Sequence, residues 1–320
     1  MTRLERRGIE LVRGEVERID PVKREVVVSG RTMAGDFLVI ALGAELAPET
    51  IPGLQDAGHN FYTLAGAEGL RDALDGFDGG KLVVLTAAPA YKCPAAPYEA
   101  AMLLESACRK RGIRHKTELA LFAAEPGPMG VAGPAVSAAV RGMVEARDIG
   151  YHPEHQIQEV DAAGRRLKFT NGAEASFDLL AYVPPHRAPR AVRESALAGE
   201  SGWIAVDRHT LRTWYDDVYA LGDVASIPLK LGKPLPKAGV FAHGEAEVVA
   251  RNIVRSITGK GQPAAFDGGG QCFIETGDGK AGLGRGEFYA DPVPVMQLHS
   301  PGRLWHFVKV LFEKRWLARF

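Results

Sequence analysis

Residues 213–224 read T-W-Y-D-D-V-Y-A-L-G-D-V, and residues 36–43 read D-F-L-V-I-A-L-G. Each holds a short apolar run closed by glycine, the pattern of a strand inside a parallel sheet whose carboxyl end opens on a crevice. A strand that stops at Gly222-Asp223 can set a carboxylate at that edge, where a sugar or ribityl hydroxyl can donate to it. Taken alone, the dipeptide is equally well a turn with a helix cap. The first run ends at Gly43 and reads as a strand buried on both faces.

Outward from these two runs, residues 9–28 alternate apolar and charged positions around Asp20-Pro21, which predicts antiparallel strands joined by a hairpin. A second buried strand is expected at 81–86, then a helix near 98–111, a strand near 118–124, a helix near 134–147, and strands at about 157–160, 166–170 and 178–183. A strand at 218–221, a helix over about 239–257, a Gly-rich loop at 268–270 and a final segment to Phe320 complete the chain. Strand and helix alternate as in a doubly wound nucleotide-binding domain, so the fold class is α/β. At 320 residues the length suits two domains of roughly 150 each. A hydrophobic share of 46% and a charged share of 24% exclude a disordered, collagen-like or coiled-coil chain. Lysine plus arginine total 39, as do aspartate plus glutamate, so no global field draws nucleic acid and none is expected as a partner. The longest apolar stretches, 37–44 and 82–90, fall short of the ~18 to 20 residues a bilayer span needs. The opening L-E-R-R-G-I-E at residues 4–10 has neither an apolar signal core nor a glycine-rich start, so no export signal is expected in this reading frame.

Three cysteines cannot form a disulfide framework, so Cys93, Cys108 and Cys272 are read individually. After the strand at 81–86 a nicotinamide domain would need closely spaced glycines, but the chain has T-A-A-P-A-Y-K-C-P-A-A-P-Y-E. Three prolines remove amide donors and no glycine lets a phosphate approach, so NAD(P) is not expected there. Cys93 stands beside Lys92 just ahead of the expected helix, and both features lower a thiol's pKa. Cys272 comes 179 positions later in G-G-G-Q-C-F-I-E-T-G-D-G. Each of the two, alone, is as readily a small buried hydrophobe. Cys108 shares helical spacing with Ala101 and Leu104 and reads as core.

Together, the two glycine-ended strands resemble the flavin domain of the pyridine nucleotide-disulfide reductase class, where the match to Asp223 binds the flavin ribityl chain. The stretches K-C-P-A-A-P-Y-E-A-A (92–101), P-L-P-K-A-G (234–239), Q-C-F-I-E-T-G-D-G (271–279) and the ending L-W-H-F-V-K-V-L-F-E-K-R-W-L narrow the resemblance to the sulfide:quinone oxidoreductase and flavocytochrome c sulfide dehydrogenase group. It runs over nearly the whole chain. It implies two Rossmann-like domains: an FAD-binding domain from residues 1–80 and 201–260, a second dinucleotide-like domain over 81–200, and a C-terminal region over 261–320. FAD is the implied cofactor, with Gly43, Gly222, Asp223, Lys237, Ala238 and Gly239 as its binding residues. The matches to Cys93 and Cys272 face the flavin ring and hold sulfide-derived sulfur between them. A thiolate takes sulfide sulfur as persulfide, the partner thiolate attacks the flavin, and two electrons pass to the ring. The implied partners are sulfide or a small sulfur species, a membrane quinone, the membrane surface and a second copy of the chain. The alternatives are a cytochrome c acceptor and a catalytically silent scaffold.

Two departures qualify the resemblance. The glycine-rich strand-turn-helix that cradles the flavin pyrophosphate should precede the hairpin, and the chain begins too late to contain it. Truncation is the favoured expectation, against a natural protein that has lost tight flavin binding. The third cysteine of the membrane-bound quinone reductases has no counterpart in F-Y-T-L-A-G-A-E-G-L (61–70), which bears on subtype and on sulfide as the substrate. Within the site, Glu99 in the first turn of its helix is either a general base for hydrosulfide or a helix-charge residue. His186 in V-P-P-H-R-A-P is either a proton relay or a solvent-facing loop residue. Lys237, ahead of the helix at Gly239, either stabilises a flavin anion or lies on the surface. Residues 303–320 carry five Lys/Arg against one Glu, among Leu304, Trp305, Val308, Leu311, Phe312 and Trp316. This segment is either a helix lying in an anionic membrane surface or one packed on the core. The first reading places the protein peripherally, at the cytoplasmic face of a prokaryotic inner membrane.

Overall fold

A computed structural model describes residues 4–318. The chain opens with an antiparallel meander of β1 (Val16–Asp20), β2 (Glu25–Val28) and β3 (Arg31–Ala34). The Asp20 carboxylate closes the first turn by accepting the amides of Val22 and Lys23, both at 3.1 Å. Residues 9–15 stay outside any strand, so the alternation overran the hairpin by half a dozen residues.

β4 (Leu38–Ile40) is shorter than its apolar run and pairs, in parallel, with one neighbour only. The expectation of a strand buried on both faces is therefore corrected: Ile40 is buried, but Val39 is 42% exposed and Leu42 39%. An apolar run reports the burial a strand can accept, and neighbouring elements decide how much it receives. β5 (Glu45–Leu46), α1 (Leu54–Ala57), β6 (His59–Asn60) and α2 (Leu64–Asp75) follow. Gly53 ahead of α1 has φ +74°, and a Cβ there would lie 1.9 Å from the Val160 carbonyl, so only glycine fits.

The second unit runs β7 (Gly80–Thr86), α3 (Ala96–Lys110), β8 (Thr117–Ala123), α4 (Pro134–Glu145), β9 (Gly150–His152), a meander β10 (Ile157–Asp161), β11 (Arg166–Phe169) and β12 (Glu174–Ser176), and β13 (Leu179–Val183). Its sheet is parallel in the order β6-β13-β7-β8-β9. Both faces are covered, as the near-continuous apolar strands require. Leu82, Val84 and Leu121 face Tyr98 and Met102 of α3 and Val140 of α4. Val83, Leu85 and Phe122 meet Leu167 and Phe169 of the meander. Each fully buried Leu or Val contributes about 1.5–3 kcal/mol. Cys108 is buried within the first of these clusters, as its spacing predicted.

The chain returns through β14 (His186–Arg187), antiparallel to β5, then α5 (Arg190–Arg193), β15 (Ile204–Ala205), β16 (Val218–Ala220), the partner of β4, β17 (Ala225–Ser226) and α6 (Gly239–Thr258). The C-terminal region is an antiparallel sheet of β18 (Gly269–Gly277), β19 (Lys280–Glu287) and β20 (Val295–Gly302), followed by α7 (Arg303–Leu317). The residues expected as a Gly-rich loop at 268–270 thus lead straight into β18.

Candidate active site

Cys93 lies in the loop between β7 and α3, and its backbone is left-handed at φ +55°, as is that of Ala90 at +64°. A non-glycine residue held there costs on the order of 1–3 kcal/mol and persists only when its surroundings fix it. Three contacts do so. The Cys93 amide donates to the Lys237 carbonyl at 2.7 Å, just before α6. The Tyr62 hydroxyl donates to the Lys92 carbonyl at 2.7 Å. Tyr91 reaches into the second unit, its hydroxyl 2.5 Å from Glu125.

Cys272 sits on β18, half-buried, its thiol donating to the Phe273 carbonyl at 3.3 Å. Although 179 positions apart, the two sulfurs share one electrostatic environment. Charge on Cys93 raises the pKa of Cys272, and charge on Glu99 raises both. Burial in the cleft, then Glu99, pushes the Cys93 thiol up to about 11, against amide hydrogen bonds from Ala96 and Ala95. The expectation that the helix start and Lys92 would depress this thiol is thus corrected: desolvation and nearby carboxylates outweigh the amides. The Cys93 side chain remains open to solvent at the rim, which damps the effect. Cys272 is driven up further, chiefly by burial.

Glu99 lies in the first turn of α3 as predicted, but its carboxylate does not serve its own helix end. It reaches across to β18 and accepts the Glu275 amide at 2.7 Å. Burial raises its pKa to about 7, helped by the charge of Glu275 and opposed by that hydrogen bond and by Lys309. His186 turns Nδ1 to the Pro184 carbonyl at 2.9 Å and leaves Nε2 buried without a partner. Burial, with Lys92 and Lys237 nearby, lowers its pKa to about 4, so the imidazole is neutral, and Nε2 is the free acceptor when Nδ1 carries the proton. Tyr62 packs edge-on against it at 5.3 Å.

At the far wall, two residues past the end of β16, Gly222 has φ +71°, and its amide donates to the buried Glu245 carboxylate on α6 at 2.6 Å. Asp223 follows, half-buried. Burial raises its pKa, and Lys237 and Lys92 oppose the rise. The Lys237 ammonium stands 3.6 Å over the Trp203 ring and donates to the Asp223 carbonyl at 2.5 Å and to the Ala225 carbonyl at 3.3 Å. Burial brings its pKa down to about 8, while Asp223 and Glu245 hold it up. Ala238 is the extended residue before α6, Gly239 opens the helix, and Gly43 closes the β4 run in a left-handed conformation. Charge interactions link Cys93 to Glu99 and Asp223, Cys272 to Cys93 and Glu99, and Lys237 to Asp223 and His186, so the six groups are neighbours in space. Sequence reasoning missed Tyr62, Tyr91, Glu125, Trp203 and Glu245. Tyr62 lies within the very stretch that was read for a missing cysteine, where its position opposite Lys92 leaves no mark.

The ring end of a flavin fits these residues. The orphaned His186 acceptor, the Asp223 carboxylate, and the start of α6 with Lys237 beside it supply an acceptor, a hydroxyl partner and a cationic edge. Among the described residues the pyrophosphate end has no comparable cradle. The sequence's literal G-x-G-x-x-G, Gly277 to Gly282, is the hairpin between β18 and β19 rather than a strand-to-helix turn.

The chain is 27% identical over 333 residues to a sulfide-quinone reductase of Aquifex aeolicus, covering 97% of this chain and 75% of that protein. It is 25% identical over 300 residues to a mitochondrial sulfide:quinone oxidoreductase of Mus musculus, covering 89% of this chain and 65% of that one. The chain thus spans about two thirds of the mouse protein. The solved sulfide:quinone oxidoreductase of Aquifex aeolicus shares the fold, with a TM-score of 0.83 at 24% identity over 99% of this chain and 76% of that one. A ferredoxin reductase of Rhodopseudomonas palustris aligns at a TM-score of 0.66 and 20% identity, covering 89% of this chain and 67% of its own. A family model described as pyridine nucleotide-disulphide oxidoreductase matches residues 2–246, and the chain belongs to this family of FAD-dependent oxidoreductases.

Proposed function

We propose that this protein oxidises sulfide, or a related small sulfur species, through Cys93 and Cys272 and delivers the electrons to a membrane quinone. The observation that carries the reading is the convergence of two cysteines from distant segments with one buried carboxyl, Glu99, whose pKa near 7 suits proton exchange at neutral pH. Hydrosulfide and a cysteine thiolate become a persulfide, one proton and two electrons. FAD, bound with its ring end against Asp223, Lys237 and the start of α6, supplies the two-electron acceptor. Glu99 takes the proton. Neutral His186 offers Nε2 as a hydrogen-bond acceptor to a hydrosulfide or hydroxyl in the cleft. The left-handed loop holds Cys93 at the rim, where a small anion arrives from water, and Cys272 stays deeper.

The second dinucleotide-like unit supports an acceptor other than NAD(P). Where a nucleotide would enter at the carboxyl ends of β7 and β8, the Glu125 carboxylate takes hydroxyls from Thr86 (2.9 Å), Tyr91 (2.5 Å) and Tyr98 (2.7 Å) and fills the crevice with side chains.

The outer side of α7 supports a membrane acceptor. Leu304 is 66% exposed, Phe307 64%, Phe312 53% and Leu311 45%, while Trp305 lies tilted against His299 toward the protein. The apolar residues expected on one face thus divide between a packed side and an open one, with Arg303, Lys314 and Arg315 alongside. Arg319 and Phe320, part of the same expectation, lie outside the described residues. Among the described residues no helix is long and apolar enough to cross a membrane, so attachment through α7 is peripheral.

Sulfide-dependent reduction of a short-chain quinone by the FAD-supplied protein is the test. Cys93→Ala and Cys272→Ala each abolish it. Unchanged turnover in either variant removes the mechanism, and transfer to a cytochrome c but not to quinone replaces the acceptor.

A further inference from the structure

The outer side of β18 carries a charged pair that the cysteine chemistry above leaves unused. Glu275, three residues beyond Cys272, gives its amide to Glu99 and sends its carboxylate the other way, to Nδ1 of His306 on α7, with oxygens at 2.9 and 3.1 Å. The Glu275 side chain is 11% exposed and the His306 side chain 39%, so one partner is nearly dry and the other meets water. Lys309, on the same helix, pairs with Glu313 at 2.8 Å, and its charge reaches Glu99 and Glu275 alike. The groups facing Glu99 are therefore Glu275 from β18, Lys309 from α7, and Tyr62 and the two thiols, whose ionisation Glu99 opposes.

We propose that Glu275 and His306 are positioning residues of the thiol site, which set the charge on Glu99 and so how readily Cys93 and Cys272 release their protons. The inference deepens the reading of Glu99 as the base beside the thiols and rests on it. The step is a proton release alone: a cysteine S–H bond breaks, the proton passes to water, and no electron moves. His306 donates from Nδ1 to the Glu275 carboxylate and draws its charge toward α7, which eases the ionisation of Glu99. Without that donor, the bare Glu275 carboxylate keeps a proton on Glu99. A surface histidine thereby governs a buried carboxyl without touching sulfur.

The experiment is carbamidomethylation of Cys93 in the purified whole chain, followed by mass spectrometry from about pH 5 to about pH 9; only the thiolate reacts. In the parent chain the logarithm of the rate bends near the pH at which Glu99 ionises, because that charge makes the thiol harder to deprotonate. Glu275→Gln keeps the backbone amide that Glu99 accepts and moves the bend down. His306→Leu removes the donor and moves it up. Each shift is roughly one pH unit, about tenfold in the ionised fraction. The double variant shifts as Glu275→Gln alone does. Opposite shifts are the signature, since a merely structural pair moves both variants the same way or neither. Shifts of one sign, or none, overturn the proposal. A bend that persists in Glu99→Gln instead overturns the underlying reading of Glu99. Neither outcome depends on sulfide turnover.

Discussion

Replacing Glu125 with leucine removes the acceptor for three buried hydroxyls. Thr86 and Tyr98 are fully buried and Tyr91 is 8% exposed, and their oxygens stand 2.9, 2.7 and 2.5 Å from the carboxylate. A buried hydroxyl left unpaired costs about 1–3 kcal/mol. Relaxation and shared surroundings make the three less than additive, so the expected loss is about 3–6 kcal/mol. Tyr98→Phe alone deletes one donor and leaves the carboxylate two, and costs about 1–2 kcal/mol. The cluster also pins the Cys93 loop through Tyr91, so alkylation of Cys93 accelerates in Glu125→Leu as the strained left-handed turn relaxes. Urea unfolding followed by tryptophan fluorescence and circular dichroism measures the first effect, and timed alkylation the second. A Glu125→Leu chain within about 0.5 kcal/mol of the parent, with unchanged Cys93 reactivity, refutes the idea that this buried carboxylate organises the loop.

Two further outcomes follow from charge and exposure. Burial raises Glu245 to about 7, above its unfolded value, so the folded chain holds an extra proton between about pH 4.5 and pH 7 and loses stability as pH rises through that window. Glu245→Gln still accepts the Gly222 amide and flattens the pH dependence by about 2–3 kcal/mol, measured by denaturant melts at the two ends; parallel curves contradict it. Leu304→Ser with Phe307→Ser weakens sedimentation with anionic lipid vesicles roughly thirtyfold, at about 1 kcal/mol lost per half-buried side chain; equal binding shows that α7 does not face the lipid.

The parallel core of the second unit was legible because β13 is apolar throughout, β7 and β8 are apolar past their first residues, and the helical segments α3 and α4 fall between turn residues. Cys93, Glu99, Asp223 and Lys237 were legible as separate marks beside strand ends and helix starts. Their convergence was implied only by resemblance, because nothing in either segment encodes a meeting across 179 positions. α2 escaped notice since L-A-G-A-E-G-L carries two glycines and a weak apolar stripe, although Thr63 caps it by accepting the Gly66 amide. Tyr62, Glu125 and Glu245 escaped for a different reason: each acts through hydrogen bonds to distant backbone or hydroxyl groups, and a lone polar residue looks the same whether it is paired or solvated. The direction of the Cys93 shift was misread because local cues, a helix start and a lysine, are visible in sequence while desolvation is not.

The 2.7 Å bond from the Cys93 amide to the Lys237 carbonyl joins the sulfur-bearing loop to the threshold of α6. Two parts that belong to different units thereby behave as one mechanical body. Swinging them apart to admit a bulky donor would sever that link and unseat a turn already held under strain. Entry is then limited by the gap as it stands rather than by a hinge, which suits a visitor the size of a few atoms.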